Sequence, residues 1–377
     1  MNQQYTIFWL AGESSGDLHA ELVMKALDQR RFRHIGIGGP RMQAMGLQAL
    51  FPFQRFAVMG FVEVLKHLGF FMKVQARIRK LFKEERPNLV ILVDYPGLNL
   101  RIAHLADEFR IPVLYYICPQ FWAWKHERVY KLKASVRHTA CILPFEKEML
   151  DIHNVTCSYV GHPIAEEVKF EMERESFANF FGIDHQKRWI GFFPGSRDGE
   201  IKKVLPIFIQ AANHWPDHEI LISKSRNVDH SLFMNLVQDA RQSNLHIVDG
   251  YNYEMMKYSD ALVCTSGTVT LEAAYIGTPS VICYKANPIS YLIGRYLINI
   301  DRIGLPNIVL NKDILPELVQ GQMNPDMINQ KLQELLPSGA RREIVLLELN
   351  KLRGMLSDRK PSSEVPKIIE HLLATYG

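Results

Sequence analysis

The chain has 377 residues, 47% apolar and 22% charged, with a net charge of +4. This is ordinary globular composition with room for two domains, and the charge is too small to argue for a nucleic-acid partner. The five cysteines (118, 141, 157, 264 and 283) are scattered, with no Cys-x-x-Cys pair and no Cys/His cluster at metal spacing, which points away from a zinc site or a disulfide framework and toward a reducing cytoplasm.

The polar stretch Met1 to Tyr5 runs straight into a strand, so no secretion signal is expected. No window holds the roughly 18 uncharged apolar residues of a spanning helix. The expectation is a soluble or peripheral protein. Short apolar runs then alternate with amphipathic stretches such as His19 to Gln29 and Leu100 to Phe109. Strands are predicted at Thr6–Ala11, His34–Gly38, Leu89–Val93, Val113–Ile117, Ala140–Leu143 and Ser158–Val160. After a charged helical bridge, Glu166 to Phe181, a second set follows at Trp189–Phe193, Glu219–Ile222, His246–Asp249, Ala261–Cys264 and Ser280–Tyr284. This βαβ rhythm, given twice, predicts an α/β protein of two doubly wound, Rossmann-like domains facing a cleft. The stretch from Gln330 to Tyr376 is helical in pattern, broken at Asp358 to Pro361, with Ser362 or Ser363 as a helix cap.

The turns after the strands carry the chemistry. The first loop, Ala11 to Asp17, combines two glycines, two hydroxyls and two acids; the acids make it a poor phosphate cradle, so Glu13, Ser14 and Ser15 are assigned to sugar hydroxyls or the cleft wall. A strand-to-helix turn with Ser or Asp as N-cap is the competing reading. Gly36 to Met42 is a similar turn. The apolar segment Phe56 to Met72, backed by Lys73, Arg77, Arg79, Lys80 and Lys83, suits an anionic surface or acyl chains through Val58, Met59, Phe61, Val62, Leu65, Leu68, Phe70 and Phe71; an ordinary core helix is the other reading.

Asp94 closes the continuous apolar run Leu89 to Val93 and precedes Tyr95-Pro96-Gly97, which places a carboxylate at the carboxyl end of a buried strand, suited to accept a proton from an attacking hydroxyl. A loop-holding or capping Asp is the alternative. In Cys118 to Lys125, Gln120, Trp122 and Trp124 either meet a sugar or seal the loop onto the core. His162, in Gly161-His162-Pro163, is a donor to phosphate or hydroxyl, or a hinge. Two anion-ready turns follow. Phe192 to Arg197 ends a strand in Pro-Gly-Ser-Arg and leads into a helix from Asp198; Thr265 to Thr268 repeats the device ahead of a helix carrying Glu272. Together they suggest a nucleotide diphosphate.

Ala11 to Asp17, Gly39 to Gln43, Ala57 to Leu65, Trp122-Ala123-Trp124, Leu143 to Lys147, Gly161-His162-Pro163, Pro194 to Arg197, Ser266-Gly267-Thr268 and Leu305-Pro306-Asn307 occur together in an order that resembles the lipid-A-disaccharide synthase family, over roughly Phe8 to Leu315. The resemblance implies an inverting GT-B glycosyltransferase of lipid A and lipopolysaccharide biosynthesis in Gram-negative bacteria. Such an enzyme joins UDP-2,3-diacylglucosamine to the 6-hydroxyl of 2,3-diacylglucosamine 1-phosphate, giving a β-1,6 disaccharide 1-phosphate and UDP. It implies peripheral contact with the cytoplasmic face of the inner membrane and no cofactor or metal; the missing Asp-x-Asp motif agrees. Residues 1–163, joined by the C-terminal helix 362–377, would form the acceptor and lipid side, and 164–345 the donor side. Monomer and homodimer are both open.

Carried over by residue, Asp94 resembles the family's general base, with Glu146 in reserve, and Arg197 the residue that steadies the departing diphosphate. Ser196, Ser266, Gly267 and Thr268 look like diphosphate contacts, Glu272 like the ribose carboxylate, and Asn307 like part of a nucleotide-side loop. One departure stands out. Many members read Asp-Ala-Pro-Asp-Phe-Asn where this chain has Asp94-Tyr95-Pro96-Gly97-Leu98-Asn99, so the second acid is missing. Rival readings are another enzyme of this architecture using UDP-N-acetylglucosamine, an epimerase or a peptidoglycan-precursor transferase, and a nonenzymatic lipid-binding protein.

Overall fold

A computed structural model describes residues 4–57, 68–123, 126–238, 243–287 and 301–377. The chain divides into two units, Met1–Pro163 with Ser357–Gly377, and Ile164–Leu356. Each is built on one parallel sheet.

The first sheet has strands β1 (Tyr5–Ala11), β2 (Phe32–Ile37), β3 (Gln48–Ala49), β4 (Leu89–Val93), β5 (Val113–Tyr116), β6 (His138–Cys141) and β7 (Cys157–Tyr159), in the order β3-β2-β1-β4-β5-β6-β7. Every residue of β4 is buried, as a strand covered on both faces requires. Helices Ser14–Ala26, Leu68–Glu85, Pro96–Glu108 and Pro361–Tyr376 belong to this unit. The last of these packs against Ser14–Ala26, and Arg31 and Glu370 join in a bidentate pair at 2.9 and 3.0 Å.

The second sheet has β8 (Arg188–Phe193), β9 (His218–Lys224), β10 (Leu245–Asp249), β11 (Ala261–Thr265), β12 (Ser280–Tyr284) and β13 (Glu317–Val319), in the order β10-β9-β8-β11-β12-β13. Its helices include Asp198–Ala212 after β8 and Thr268–Ile276 after β11.

Strand order locates the sites. In each sheet the chain starts in the middle, builds outward, then returns to build the other half, so one pair of central neighbours has its following helices diverging to opposite faces. That pair is β1 and β4 in the first unit, with Ala11 level with Val93, and β8 and β11 in the second, with Phe193 level with Cys264. A crevice opens beyond the carboxyl ends of such strands, where ligands of open α/β sheets bind.

Two expectations are corrected. Phe71 is buried in the first core and so is a core ring rather than a lipid contact, while partly buried Phe70 packs beside Phe56 with ring centroids 5.2 Å apart. Val58, Met59, Phe61, Val62, Leu65 and Trp124 lie outside the described residues, and Leu68 opens the helix Leu68–Glu85. The last helix starts at Pro361 with Lys360, not Ser362 or Ser363, as N-cap, because proline's fixed φ suits the first helical position. No helix among the described residues is long and apolar enough to cross a membrane.

Candidate functional site

In the first unit the crevice lies beyond β1 and β4. Asp94 and Tyr95 both adopt left-handed backbone, φ +48° and +45°, which non-glycine residues enter at a cost. The fold holds them there. The Asp94 N–H donates to the Tyr116 carbonyl at 2.9 Å. The Asp94 carbonyl accepts from the Tyr115 hydroxyl at 2.6 Å and from Nδ2 of Asn99 at 2.7 Å, and fully buried Asn99 also donates to the Val93 carbonyl. Asn99 is therefore the staple of this turn, a part sequence reading did not assign it. The Tyr95 ring covers Gly12 so closely that a Cβ there would lie 2.7 Å from a ring carbon, which is why the first loop needs glycine.

Asp94 keeps partial exposure, yet burial pushes its carboxyl up from 3.8 to about 6; nearby Glu13 adds to the rise, while His19, the Tyr95 N–H and Arg128 oppose it. A carboxylate of that basicity is poised to take a proton near neutral pH. Glu13, Ser14 and Ser15 are exposed at the end of β1, and Glu13 without a side-chain bond is the N-cap of the helix Ser14–Ala26. Asp17 acts structurally, since its carboxylate accepts from the N–H groups of Arg41 and Met42 at 3.2 and 3.1 Å, capping the short helix Pro40–Ala44. The acid of the first loop and the Gly-Pro-Arg-Met run are one structural device.

Glu146 is nearly fully buried. One oxygen accepts from the Leu143 N–H and the other from Nε1 of Trp122, both at 3.2 Å, and burial pushes the carboxyl up to about 7. Trp122 also packs edge-on against Phe145 at 5.1 Å. Trp122 is thus a half-buried anchor for its loop, while Gln120 is exposed. His162 is buried, which with His19 nearby lowers it to about 3 and keeps it neutral. Beside it Gly161, at φ +85°, lies against the Arg359 backbone, where a Cβ would meet the carbonyl oxygen at 2.0 Å.

In the second unit the turns after β8 and β11 meet at a pocket of about 300 Å³. Ser196, Arg197, Ser266, Gly267, Thr268 and Glu272 all line it. Arg197 is the N-cap of the helix Asp198–Ala212, and its side chain is 82% exposed. The Ser266 hydroxyl donates to the Ile303 carbonyl at 2.9 Å, leaving its lone pairs to accept. Glu272 stands one helical turn after Thr268.

Sequence reading missed Glu200, Ser223, Ser225 and Asn252, which complete the lining. Glu200 has a distinctive position: its carboxylate accepts the Ser196 N–H at 3.2 Å, faces Arg197 at 3.4 Å, and lies 2.7 Å from where a Gly195 Cβ would be. An anion thus occupies the donors of the Pro-Gly-Ser-Arg turn. Asn307 is corrected. It is buried outside that lining, donating to the Leu315 carbonyl and Glu317 at 2.8 Å each and accepting from the Ile314 and Leu315 N–H groups, so its amide holds the following loop.

Solved structures share this architecture. The glycotransferase of kitacinnamycin superposes with a TM-score of 0.65 at 15% identity, covering 99% of this chain and 100% of that one. UDP-GlcNAc 2-epimerase from Neisseria meningitidis gives 0.64 at 12%, covering 99% and 100%, and CalG4, the calicheamicin glycosyltransferase, 0.64 at 14%, covering 99% of each chain. At such identities they show a GT-B type of fold alone. Sequence relatives go further. Lipid-A-disaccharide synthases of Geobacter sulfurreducens and Syntrophus aciditrophicus are each 36% identical, covering 99% and 94% of this chain and 98% and 94% of their own. That of Nitrosococcus oceani is 38% identical over 89% of this chain and 88% of its own. The family model for lipid-A-disaccharide synthetase matches residues 7–364, and with it the chain belongs to the lipid-A-disaccharide synthase family of glycosyltransferases.

Proposed function

We propose that the chain transfers 2,3-diacylglucosamine from its UDP donor to the 6-hydroxyl of 2,3-diacylglucosamine 1-phosphate, with inversion at the anomeric carbon, giving the β-1,6 disaccharide 1-phosphate and UDP. Family membership supplies the reaction. The single observation that carries the mechanism is Asp94: a partly exposed carboxylate at the switch point of its sheet, raised to about 6 and fixed by a strained, stapled turn. It takes the acceptor hydroxyl proton as the oxygen attacks the anomeric carbon.

The bond to the donor diphosphate breaks as the new one forms, and negative charge grows on the leaving phosphate. Arg197 and the N–H groups of the helix Asp198–Ala212 answer that charge, and Ser196, Ser266 and Thr268 orient the diphosphate. Glu272 holds the ribose hydroxyls. The acyl chains bring the first unit to the cytoplasmic face of the inner membrane as a peripheral contact, where exposed Met72, Lys73, Arg77 and Lys80 on the helix Leu68–Glu85 suit an anionic surface.

Incubation with synthetic donor and acceptor, read by mass spectrometry for the disaccharide and by UDP release, tests the reading. Absence of both products under conditions where UDP binds would overturn it. Epimerisation of UDP-N-acetylglucosamine without transfer would move the chain to another reaction on this fold.

A further inference from the structure

A second cavity, of about 530 Å³, lies in the first unit between the faces of two helices, Pro96–Glu108 and Arg128–Ser135. Gly97, Arg101 and His104 face it at helical spacing from one side, and Arg128 and Lys131 from the other. Among the described residues of the lining Glu127 is the one acid, against three fixed cations. His104 stands 3.9 Å from Glu108, whereas Arg101 and Lys131 are exposed and have no carboxylate partner among the described residues. The helix Pro96–Glu108 begins without a side-chain cap, and its proline start removes one donor but leaves the next N–H groups. Gly97 is not demanded by its backbone, and nothing lies within 4 Å of where its Cβ would be, so the glycine keeps this corner of the cavity open. Arg128 also acts on Asp94, lowering its carboxyl, which ties the cavity to the turn that carries the base.

We propose that this cavity is a subsite for a phosphate monoester and receives the 1-phosphate end of the acceptor, with Arg101, Arg128 and Lys131 as its cations. The inference rests on the reaction proposed above and adds a place for the acceptor's anionic end. A phosphate monoester carries close to two negative charges at neutral pH, which matches three cations against one acid, and guanidinium groups meet phosphate oxygens in pairs. The cavity falls in the size range of small-molecule sites. Gly97 follows Asp94 by three residues, within about 11 Å along the chain, so a hexose phosphate can lie with one end at the cavity and its hydroxymethyl group toward the base.

The test compares acceptors and probes. For 2,3-diacylglucosamine 1-phosphate, Arg101→Gln and Lys131→Gln should each raise KM about tenfold, with the donor KM unchanged. With the same acceptor lacking its phosphate, the two variants should lose nothing beyond what the wild type loses. In direct titrations glucosamine 1-phosphate should bind, inorganic phosphate should bind more weakly at the same residues, and glucosamine should not bind. Equal losses for phosphorylated and unphosphorylated acceptors, or no loss in any variant, overturns the subsite. If wild type makes no disaccharide but binds glucosamine 1-phosphate through Arg101 and Lys131, the reaction is wrong and the subsite stands.

Discussion

Replacing Asp94 by Asn should abolish turnover and at the same time stabilise the protein. Its carboxyl is held at about 6 instead of 3.8. The folded protein therefore binds more protons than the unfolded chain between those values, and stability falls as pH rises from about 4 to about 6. Ionising this group in the fold costs about 3 kcal/mol above pH 6, which partial exposure of Asp94 reduces to about 2. Asn never ionises, and its Oδ1 still accepts the Tyr95 N–H that the carboxylate receives. At pH 8 the variant should be more stable than wild type by about 2 kcal/mol, a Tm about 4 to 8 °C higher, and the gap should close below pH 4. Glu146 titrates in both proteins; the Asp94 charge helps to raise it, so losing that charge in the variant adds a smaller stabilisation of the same sign. Denaturant and thermal unfolding across pH 4 to 8 measure the gap. Transfer assays should show kcat/KM of wild type climbing tenfold per pH unit to about 6 and then levelling, and the variant down about 10²- to 10⁴-fold with UDP affinity intact. A variant less stable than wild type at pH 8, or one with normal turnover, would refute the reasoning.

The remaining predictions concern the second unit. Arg197→Ala should lower kcat about 10²-fold and weaken UDP binding only a few-fold, because the guanidinium answers charge that grows as the diphosphate departs; steady-state kinetics beside UDP titration separates the two, and a loss confined to affinity returns the turn to simple binding. Glu200→Gln should tighten UDP about three- to fivefold, since the carboxylate now on the Ser196 N–H and facing Arg197 repels the incoming diphosphate; calorimetric titration checks it, and weaker binding would make Glu200 a ligand contact. Asn307→Ala should destabilise by about 2–4 kcal/mol by leaving the buried Leu315 N–H unpaired, while UDP affinity stays within about twofold by the same titration.

The sequence was most readable where burial and chemistry are both local. Leu89–Val93 is a continuous apolar run, and its strand has those bounds. β3 is two exposed residues, Gln48 and Ala49, and β13 is three residues beginning with Glu317; neither has an apolar run to read, because each is an edge strand completed by its neighbour. The second-unit pocket was legible through its two glycine turns, which adjacent strands bring together. Ser223, Ser225 and Asn252 arrive from β9 and the segments beyond it with no motif of their own, so only sheet order places them there. The acids were hardest. Asp17, Glu146 and Glu200 sit in the first turns of helices that follow Gly- or Pro-containing loops, and Asp94 in the turn before Pro96, and sequence cannot say which of them finds a backbone N–H, because that partner is often far away: Met42 is 25 residues from Asp17.

Glu146 and Asp94 show how surroundings separate two such acids. Both are raised by burial, to about 7 and about 6, so basicity alone would favour Glu146 as the base. Access decides against it. Both Glu146 oxygens are engaged, by Leu143 and Trp122, and the residue is 1% exposed, so a substrate hydroxyl reaches it only if the helix start and the Trp122 loop come apart. Asp94 keeps part of its surface open. Glu146→Gln keeps one acceptor oxygen and loses the other, which should cost about 1–2 kcal/mol of stability near pH 4, where the carboxyl is protonated, and leave kcat within about threefold of wild type. It should also remove the part of the stability profile between about pH 4.5 and 7: a folded pKa raised from 4.5 to about 7 means stability falls as pH rises through that window, while the variant's curve is flatter there and its deficit shrinks. A fall in kcat as deep as that of Asp94→Asn, with folding intact by near-UV circular dichroism, would transfer the proton-accepting role to Glu146.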